Sequence, residues 1–247
     1  MNIQRLLICI CVVLTAAISA TAQSKVWSTE QAQKWGKENP WYCGVNYIPA
    51  TAINYTAMWD KTSFSPEVIE KEMKLMKSLG MNCARIVMQY AVYEEDPAYF
   101  IRTLDRFLSI CDKYGVKVMP IFFDDCAFGV NTDPTVGKQP EPSPGYSMVV
   151  DERTHGKLEK YVKEVMNHFK NDPRIFVWDL YNEPTNTTMP ERSWPLLRKV
   201  FTWAREVNPK QPITSGLWNE NKELNDFLAS NSDIITFHCY ASKKLKK

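Results

Sequence analysis

The sequence is poor in the groups that build metal centres and disulfide frameworks. Its three histidines, His155, His168 and His238, form no HxH or HExxH pair, so a protein-built metal site is not expected. Seven cysteines occur without a single CxxC. Cys9 and Cys11 fall in an N-terminal apolar run. Cys43, Cys83, Cys111, Cys126 and Cys239 are widely spaced and odd in number. Most sit in strand-like or helix-like patterns, where a free cysteine behaves as a small buried hydrophobe, and no disulfide framework is expected. An excess of one charge is also lacking. The formal net charge is +2, and no basic stripe precedes the last few residues, so no nucleic-acid partner is expected. Nor does any apolar run reach the roughly 20 residues a membrane span requires.

The N-terminus is set apart from the rest. Arg5 precedes the apolar residues 6–17, "LLICICVVLTAA", and the chain then turns small and polar up to "ATAQS". Ala20-Thr21-Ala22 fits the small-x-small rule for signal peptidase. Residues 1–22 are expected to be a signal peptide, leaving a mature domain of residues 23–247 that is periplasmic, extracellular or at the cell surface. That domain is rich in Trp, Tyr and Phe. Aromatic side chains without a large net charge suit a neutral, ring-shaped ligand such as a sugar, and packing alone also explains them.

Strand-like and helix-like segments alternate along the chain. "SPEVIEKEMKLMKSLG" opens with Ser65 as N-cap and Pro66 at the first helical position. Ile69, Met73, Met76 and Leu79 follow on one face, and Gly80 ends the helix. "MNCARIVMQY" is the strand after it. The next helix opens at Asp96-Pro97, carries Phe100, Leu104, Phe107 and Cys111 inward, and closes at Gly115 before the strand "VKVMPIFF". Residues 151–170 read as a helix with Leu158, Val162, Val165 and Phe169 inward. Then come the strand "RIFVWDLY", the helix "WPLLRKVFTWAREV", the strand "PITSGLW", the helix "NKELNDFLAS" and the strand "DIITFHCYA". With "WYCGVNYI" first, this predicts six strands and five intervening helices, the strands buried on both faces as in parallel sheets.

Two architectures share this alternation. An open doubly wound sheet would carry a Gly-rich phosphate turn after its first strand, and "GVNYIPATA" contains no GxGxxG. Polar residues gather instead at the C-terminal ends of several strands: Asn46 and Tyr47, Arg85, Asp124 and Asp125, Asn182 and Glu183, Trp218, His238 and Tyr240. That distribution predicts an α/β chain folded as a (β/α)8 TIM barrel, incomplete, with about six of eight βα units. The Pro-rich stretch between Asp124 and Val150 would rise over that face as a wall or lid.

"GVNYIP", "MNCARI", "WDLYNEP" and "FHCY" stand in the order and spacing of the (β/α)8 retaining glycoside hydrolases. The chain most resembles the family 5 cellulase and mannanase group over nearly all of its mature length. The resemblance implies hydrolysis of a β-linked polysaccharide or oligosaccharide by double displacement, with no cofactor. It makes Glu183 the general acid/base and gives Asn182 the sugar 2-hydroxyl. It matches Arg85 to the arginine that braces the nucleophile, and His238 and Tyr240 to the sixth strand's His-x-Tyr. Trp218, Tyr47, Trp59 and Phe128 are candidate stacking platforms. Many relatives carry a histidine after the third strand where this chain reads "FFDDCAF"; Asp124 and Asp125 are candidates there for bonding sugar hydroxyls.

Physical chemistry supports the role of Glu183. A glutamate at the edge of an apolar strand, beside Trp178 and Tyr181, is expected to have its pKa raised by desolvation and to hold a proton near neutrality. A retaining enzyme also needs a second carboxylate about 5 Å away. In the resembled clan it stands at the end of strand seven, and the last acid of this chain is Asp233, so the chain is expected to be a truncated form with little activity of its own. A carbohydrate-binding pseudoenzyme, and an inverting hydrolase using Asp124 or Asp125 as base, stay open as alternatives.

Overall fold

The computed structural model describes residues 25–126 and 142–240. The expected signal peptide, the platform candidate Phe128, most of the Pro-rich stretch and the basic tail lie outside them.

Five parallel strands form the sheet: β1 (Gly44–Asn46), β2 (Cys83–Val87), β3 (Lys117–Asp124), β4 (Trp178–Asn182) and β5 (Ile213–Thr214). Their spatial order is β1-β2-β3-β4-β5, so each strand lies beside its predecessor without reversal. A doubly wound sheet reverses direction at a switch point, and a (β/α) barrel does not. The order is the barrel's.

The helices between strands follow the expected pattern. In chain order they are α1 (Thr29–Glu38), α2 (Tyr55–Trp59), α3 (Pro66–Ser78), α4 (Tyr90–Glu95), α5 (Pro97–Lys113), α6 (Tyr146–Val150), α7 (His155–Phe169), α8 (Trp194–Val207) and α9 (Lys222–Asn231). Gly80 and Gly115 stop α3 and α5 at φ +77° and +72°, angles that cost a side-chain-bearing residue more than glycine. Asp96 caps α5 by accepting the Tyr99 N–H at 2.9 Å. The Ser65 side chain makes no cap hydrogen bond, so that start rests on Pro66. Leu79 is not an inward residue: α3 ends at Ser78, and Leu79 is 63% exposed. The predicted inner faces of α5 and α7 are buried throughout.

Two layers of side chains follow from strand alternation. Arg85 and Val87 of β2, Met119 and Ile121 of β3, and Asp179 of β4 line a cavity inside the curved sheet. Ile86, Phe122, Trp178 and Leu180 belong to the buried apolar core. There Phe122 stacks on Trp178 at 5.4 Å and meets the Tyr161 ring of α7 edge-on. Trp59 belongs to this core too, fully buried against Phe100 and Phe107, its indole N–H donating to the Val87 carbonyl. It is not a sugar platform.

The sixth predicted strand is a partial one. Residues 233–238 run parallel to 213–217 through Asp233 N–H to Ile213 O, Leu217 N–H to Thr236 O and His238 N–H to Leu217 O. Between these rungs, side chains replace the backbone ladder. Thr214 Oγ1 donates to Ile234 O, and Ser215 N–H donates to Ser232 Oγ. A continuous strand is thereby interrupted while the barrel order is kept. Among the described residues, helices α1, α2, α4 and α6 were not predicted; α2, α4 and α6 have five or six residues, too short to show a periodic face, and the ten-residue α1 buries none of its side chains.

Asp96→Ala removes the α5 cap and is expected to cost about 1 kcal/mol of stability, checked by the shift in thermal or urea midpoint. An unchanged midpoint would remove the cap from the account of this helix.

Candidate active site

The cavity at the C-terminal ends of the strands has a volume of about 440 Å³. Asn46 of β1, Arg85 of β2, Asp179 and Asn182 of β4, Glu183, Cys126, His238 and Tyr240 all line it. Strand register produces this gathering. Asn46 is the neighbour of Arg85 across β1 and β2, and Asp124 is the neighbour of Asn182 across β3 and β4.

Arg85 is the hub of the floor. Its Nε and Nη2 donate to Asp179 Oδ2 at 3.0 and 2.6 Å, Nη2 also donates to Asn182 Oδ1 at 2.7 Å, and Nη1 donates to Asn46 Oδ1 at 3.2 Å. Burial works against the guanidinium charge, and the attraction of Asp179 overrides it, raising the pKa further. The other oxygen of Asp179, Oδ1, is buried without a hydrogen-bond partner. Asp179 was not singled out in the sequence; its signal is an acid two residues into an otherwise apolar strand.

Asn182 is held at both ends of its amide. Oδ1 accepts from Arg85, and Nδ2 donates to Asp124 Oδ1 at 2.8 Å. Each end keeps capacity for one further bond. Burial pushes the Asp124 pKa up to about 7, against the hydrogen bonds it accepts from Asn182 and the Cys126 N–H.

Glu183 is 6% exposed and surrounded by donors. Its Oε1 lies 2.7 Å from His238 Nδ1 and accepts the Tyr240 hydroxyl at 3.3 Å, while Oε2 accepts Asn186 Nδ2 at 2.7 Å. A carboxylate only accepts, so Nδ1 carries the imidazole hydrogen. The His238 bond is the largest influence on Glu183. With help from Cys126 and Asn186 it outweighs burial and lowers the pKa to about 2. Desolvation was expected to raise this pKa. It is present, and hydrogen bonding to the charged form exceeds it. Gly216 permits the arrangement, because a Cβ there would stand 3.1 Å from His238 Nε2.

Three candidates from the sequence, Asp124, Asp125 and Trp218, are absent from the cavity lining. Asp125 is buried and absent from the cavity lining; its carboxylate accepts from Tyr181 Oη, Thr185 N and Ser193 Oγ. Trp218 also lies off the cavity and donates its indole N–H to Pro184 O at 3.0 Å. Tyr47 touches the cavity, but its hydroxyl donates to Glu72 at 2.6 Å and its ring packs on Phe107. Asn186 and Cys126 are additions that the sequence reading missed. Of the other histidines, His155 is buried on the Val149 carbonyl and His168 packs on Phe169.

A barrel that carries a hydrogen-bonded glutamate at the tip of its fourth strand, beside an Arg-Asp-Asn floor, has the layout of a barrel-enzyme active face. Residues 46–246 match the family described as cellulase (glycosyl hydrolase family 5), and the chain belongs to that family.

Solved structures agree on the fold. An exo-beta-1,4-mannosidase from Opitutaceae bacterium strain TAV5 superposes with a TM-score of 0.54 at 22% identity, covering 72% of this chain and 32% of that one. An endo-1,4-beta-mannanase from Eisenia fetida gives 0.53 at 16% identity, covering 82% and 68%. Among curated relatives, a beta-glucuronidase of Chlorocebus aethiops is 27% identical over 179 residues, 72% of this chain. The chain spans 22% of that relative's length.

The depressed pKa of Glu183 has a consequence for stability. A carboxyl lowered from 4.5 to about 2 on folding contributes stability that is fully present above the unfolded value and is lost as pH falls through the folded one. The melting temperature of the wild type is therefore expected to fall relative to Glu183→Gln as pH drops from about 5 to about 2. Parallel curves over that interval would contradict the donor arrangement.

Proposed function

We propose that this protein is a glycoside hydrolase acting on β-linked oligosaccharides or polysaccharides, with Glu183 as the general acid/base of a retaining double displacement. The observation that carries the reading is the Glu183 carboxyl, fixed at the barrel mouth by His238, Tyr240 and Asn186 in a cavity that also presents Asn182. Asn182 would bond the sugar 2-hydroxyl with the free capacity of its amide. Tyr240 and Phe237 on the rim, both largely exposed, offer faces on which a sugar ring can stack.

Retention requires a nucleophile opposite Glu183. Asp179 is the other carboxylate lining the cavity among the described residues, and its Oδ2 is committed to Arg85. It is assigned to the floor rather than to covalent attack.

A neutral sugar fits better than a uronate. A uronate carboxylate calls for a cation with free donors. The Arg85 fork is turned to Asp179, Asn182 and Asn46. Export is part of the same proposal, because a polysaccharide is met outside the cell. It rests on Arg5, the apolar residues 6–17 and Ala20-Thr21-Ala22. Mass spectrometry of secreted protein is expected to find Gln23 at the mature N-terminus; an intact Met1 outside the cytoplasm would refute cleavage.

The reaction is tested by incubating gluco-, manno- and xylo-oligosaccharides with a form of the protein in which a strand-seven glutamate supplies the second carboxylate, and repeating the assay with Glu183→Gln. Turnover is expected to drop on the order of 10²-fold or more. The drop should be smaller on aryl glycosides with good leaving groups, which need less protonation. Hydrolysis that survives the substitution on unactivated oligosaccharides would remove Glu183 from the mechanism. Sugar binding with no hydrolysis by wild type would leave a carbohydrate-binding protein.

A further inference from the structure

We infer that Asp125 is the positioning residue of this site: it holds the turn after β4 through Thr185, and that turn sets the aim of the Glu183 carboxyl. The inference rests on the reading of Glu183 as acid/base for its catalytic meaning. Its geometry and its test concern the carboxyl alone.

The turn does not hold itself. Glu183 and Thr185 have φ of +44° and +75° on either side of Pro184. Both lie in the left-handed region, which side-chain-bearing residues seldom enter and β-branched threonine least of all. Strain of this kind costs of order 1–3 kcal/mol per residue and persists only where surrounding structure imposes it.

Two long-range contacts impose it here. Trp218 Nε1 donates to Pro184 O at 3.0 Å, and Thr185 N–H donates to Asp125 Oδ2 at 2.9 Å. Asp125 is itself fixed from two more sides, by the Tyr181 hydroxyl on Oδ1 at 2.7 Å and the Ser193 hydroxyl on Oδ2 at 2.5 Å. One buried carboxylate thus joins the tip of β3, the tip of β4 and the start of α8.

The turn then delivers a donor to the glutamate. Asn186 N–H donates to Glu183 O at 3.0 Å, closing the loop, and Asn186 Nδ2 reaches back to Glu183 Oε2 at 2.7 Å. If Thr185 relaxes to negative φ, Asn186 swings away and Oε2 loses this bond. Asp125 touches neither the cavity nor Glu183, so its effect travels through the backbone of residues 183–186.

The test is the titration of the Glu183 side-chain carboxyl, followed by 13C NMR in the full chain. The wild type is expected near its lowered value of about 2. Burial raises the Asp125 pKa, so Asp125 is itself largely protonated where Glu183 titrates. Asp125→Leu removes the acceptor at any pH, leaves the Thr185 N–H unheld, and is expected to raise the Glu183 titration by about one pH unit or more.

The sign separates positioning from plain electrostatics. Where Asp125 is still ionised, deleting its charge would by itself favour ionised Glu183 and lower its pKa, and where burial has already left it protonated no charge is lost; neither raises the Glu183 titration. Adding Thr185→Gly, which accepts positive φ without penalty, is expected to return part of the rise. Asp125→Asn keeps the side-chain shape but leaves one acceptor oxygen for the Thr185 N–H and the Tyr181 and Ser193 hydroxyls. It should raise the Glu183 titration by less, and it serves where Asp125→Leu does not fold. A folded Asp125→Leu or Asp125→Asn protein with Glu183 titrating at or below the wild-type value overturns the inference. Because this readout needs no substrate, hydrolysis that survives Glu183→Gln would refute the proposed function and leave the positioning result standing.

Discussion

The guanidinium of Arg85 reaches from β2 to side chains of β1 and β4, and the shape of the molecule follows from what that reach demands. Neighbouring strands lie about 4.8 Å apart, so in a flat sheet β2 and β4 would stand nearly 10 Å from each other across β3. Arg85 nonetheless donates to Asp179 and Asn182 at 2.6 and 2.7 Å. The inward side chains converge because the sheet curves as a barrel does. The pair is also costly to disturb. Removing one partner of a buried ion pair typically costs about 3–5 kcal/mol, because the other charge is left without compensation. Curvature and charge pairing therefore support each other, and the site inherits its rigidity from both.

A second constraint acts at the tip of β4. Asp124 and Asp125 are adjacent in sequence, both buried, and both raised by desolvation. They nevertheless do different work. Asp124 faces Asn182 and fixes the orientation of its amide. Asp125 faces the opposite way, toward Tyr181, Thr185 and Ser193. Strand alternation sends consecutive side chains in opposite directions, which lets one dipeptide serve a ligand-facing amide and a backbone turn at once.

Those two residues also show where the sequence stopped being legible. Local chemistry was readable: the stops at Gly80 and Gly115, the Asp96 cap, the inner faces of α5 and α7, the sequential βα order and the Asn182-Glu183-Pro184 tip all depend on neighbours within a few positions. The partners of Asp125 lie 56 to 68 residues away, and no periodicity encodes them. Reading Asp125 as a sugar ligand followed from its place at a strand end, which fixes the layer of the fold and not the direction of the side chain. Trp218 was misread for the same reason. Asp179 was missed because an inward acid in a parallel strand breaks the apolar run only once. The rise expected for the Glu183 pKa failed on a related point: burial can be read from a strand, whereas His238, 55 residues distant, cannot.

The electrostatic state of Glu183 limits how the proposed chemistry can proceed. A carboxyl lowered to a pKa of about 2 by its hydrogen-bond donors is almost wholly ionised at neutral pH. In this arrangement it is a base, and a poor proton donor. To act as an acid it must lose donors or gain a negative neighbour, since either change raises the pKa. Both donors to Oε1, His238 and Tyr240, come from the segment that follows β5. That segment meets its neighbour through interrupted rungs and exposes Phe237 and Tyr240. The Asn186 donor to the other oxygen is carried by a turn anchored in the interior through Asp125. The two oxygens of one carboxylate are thus held with unequal firmness. A change in the segment after β5 would therefore act on Oε1 through His238 and Tyr240 and leave the Asn186 bond to Oε2 in place.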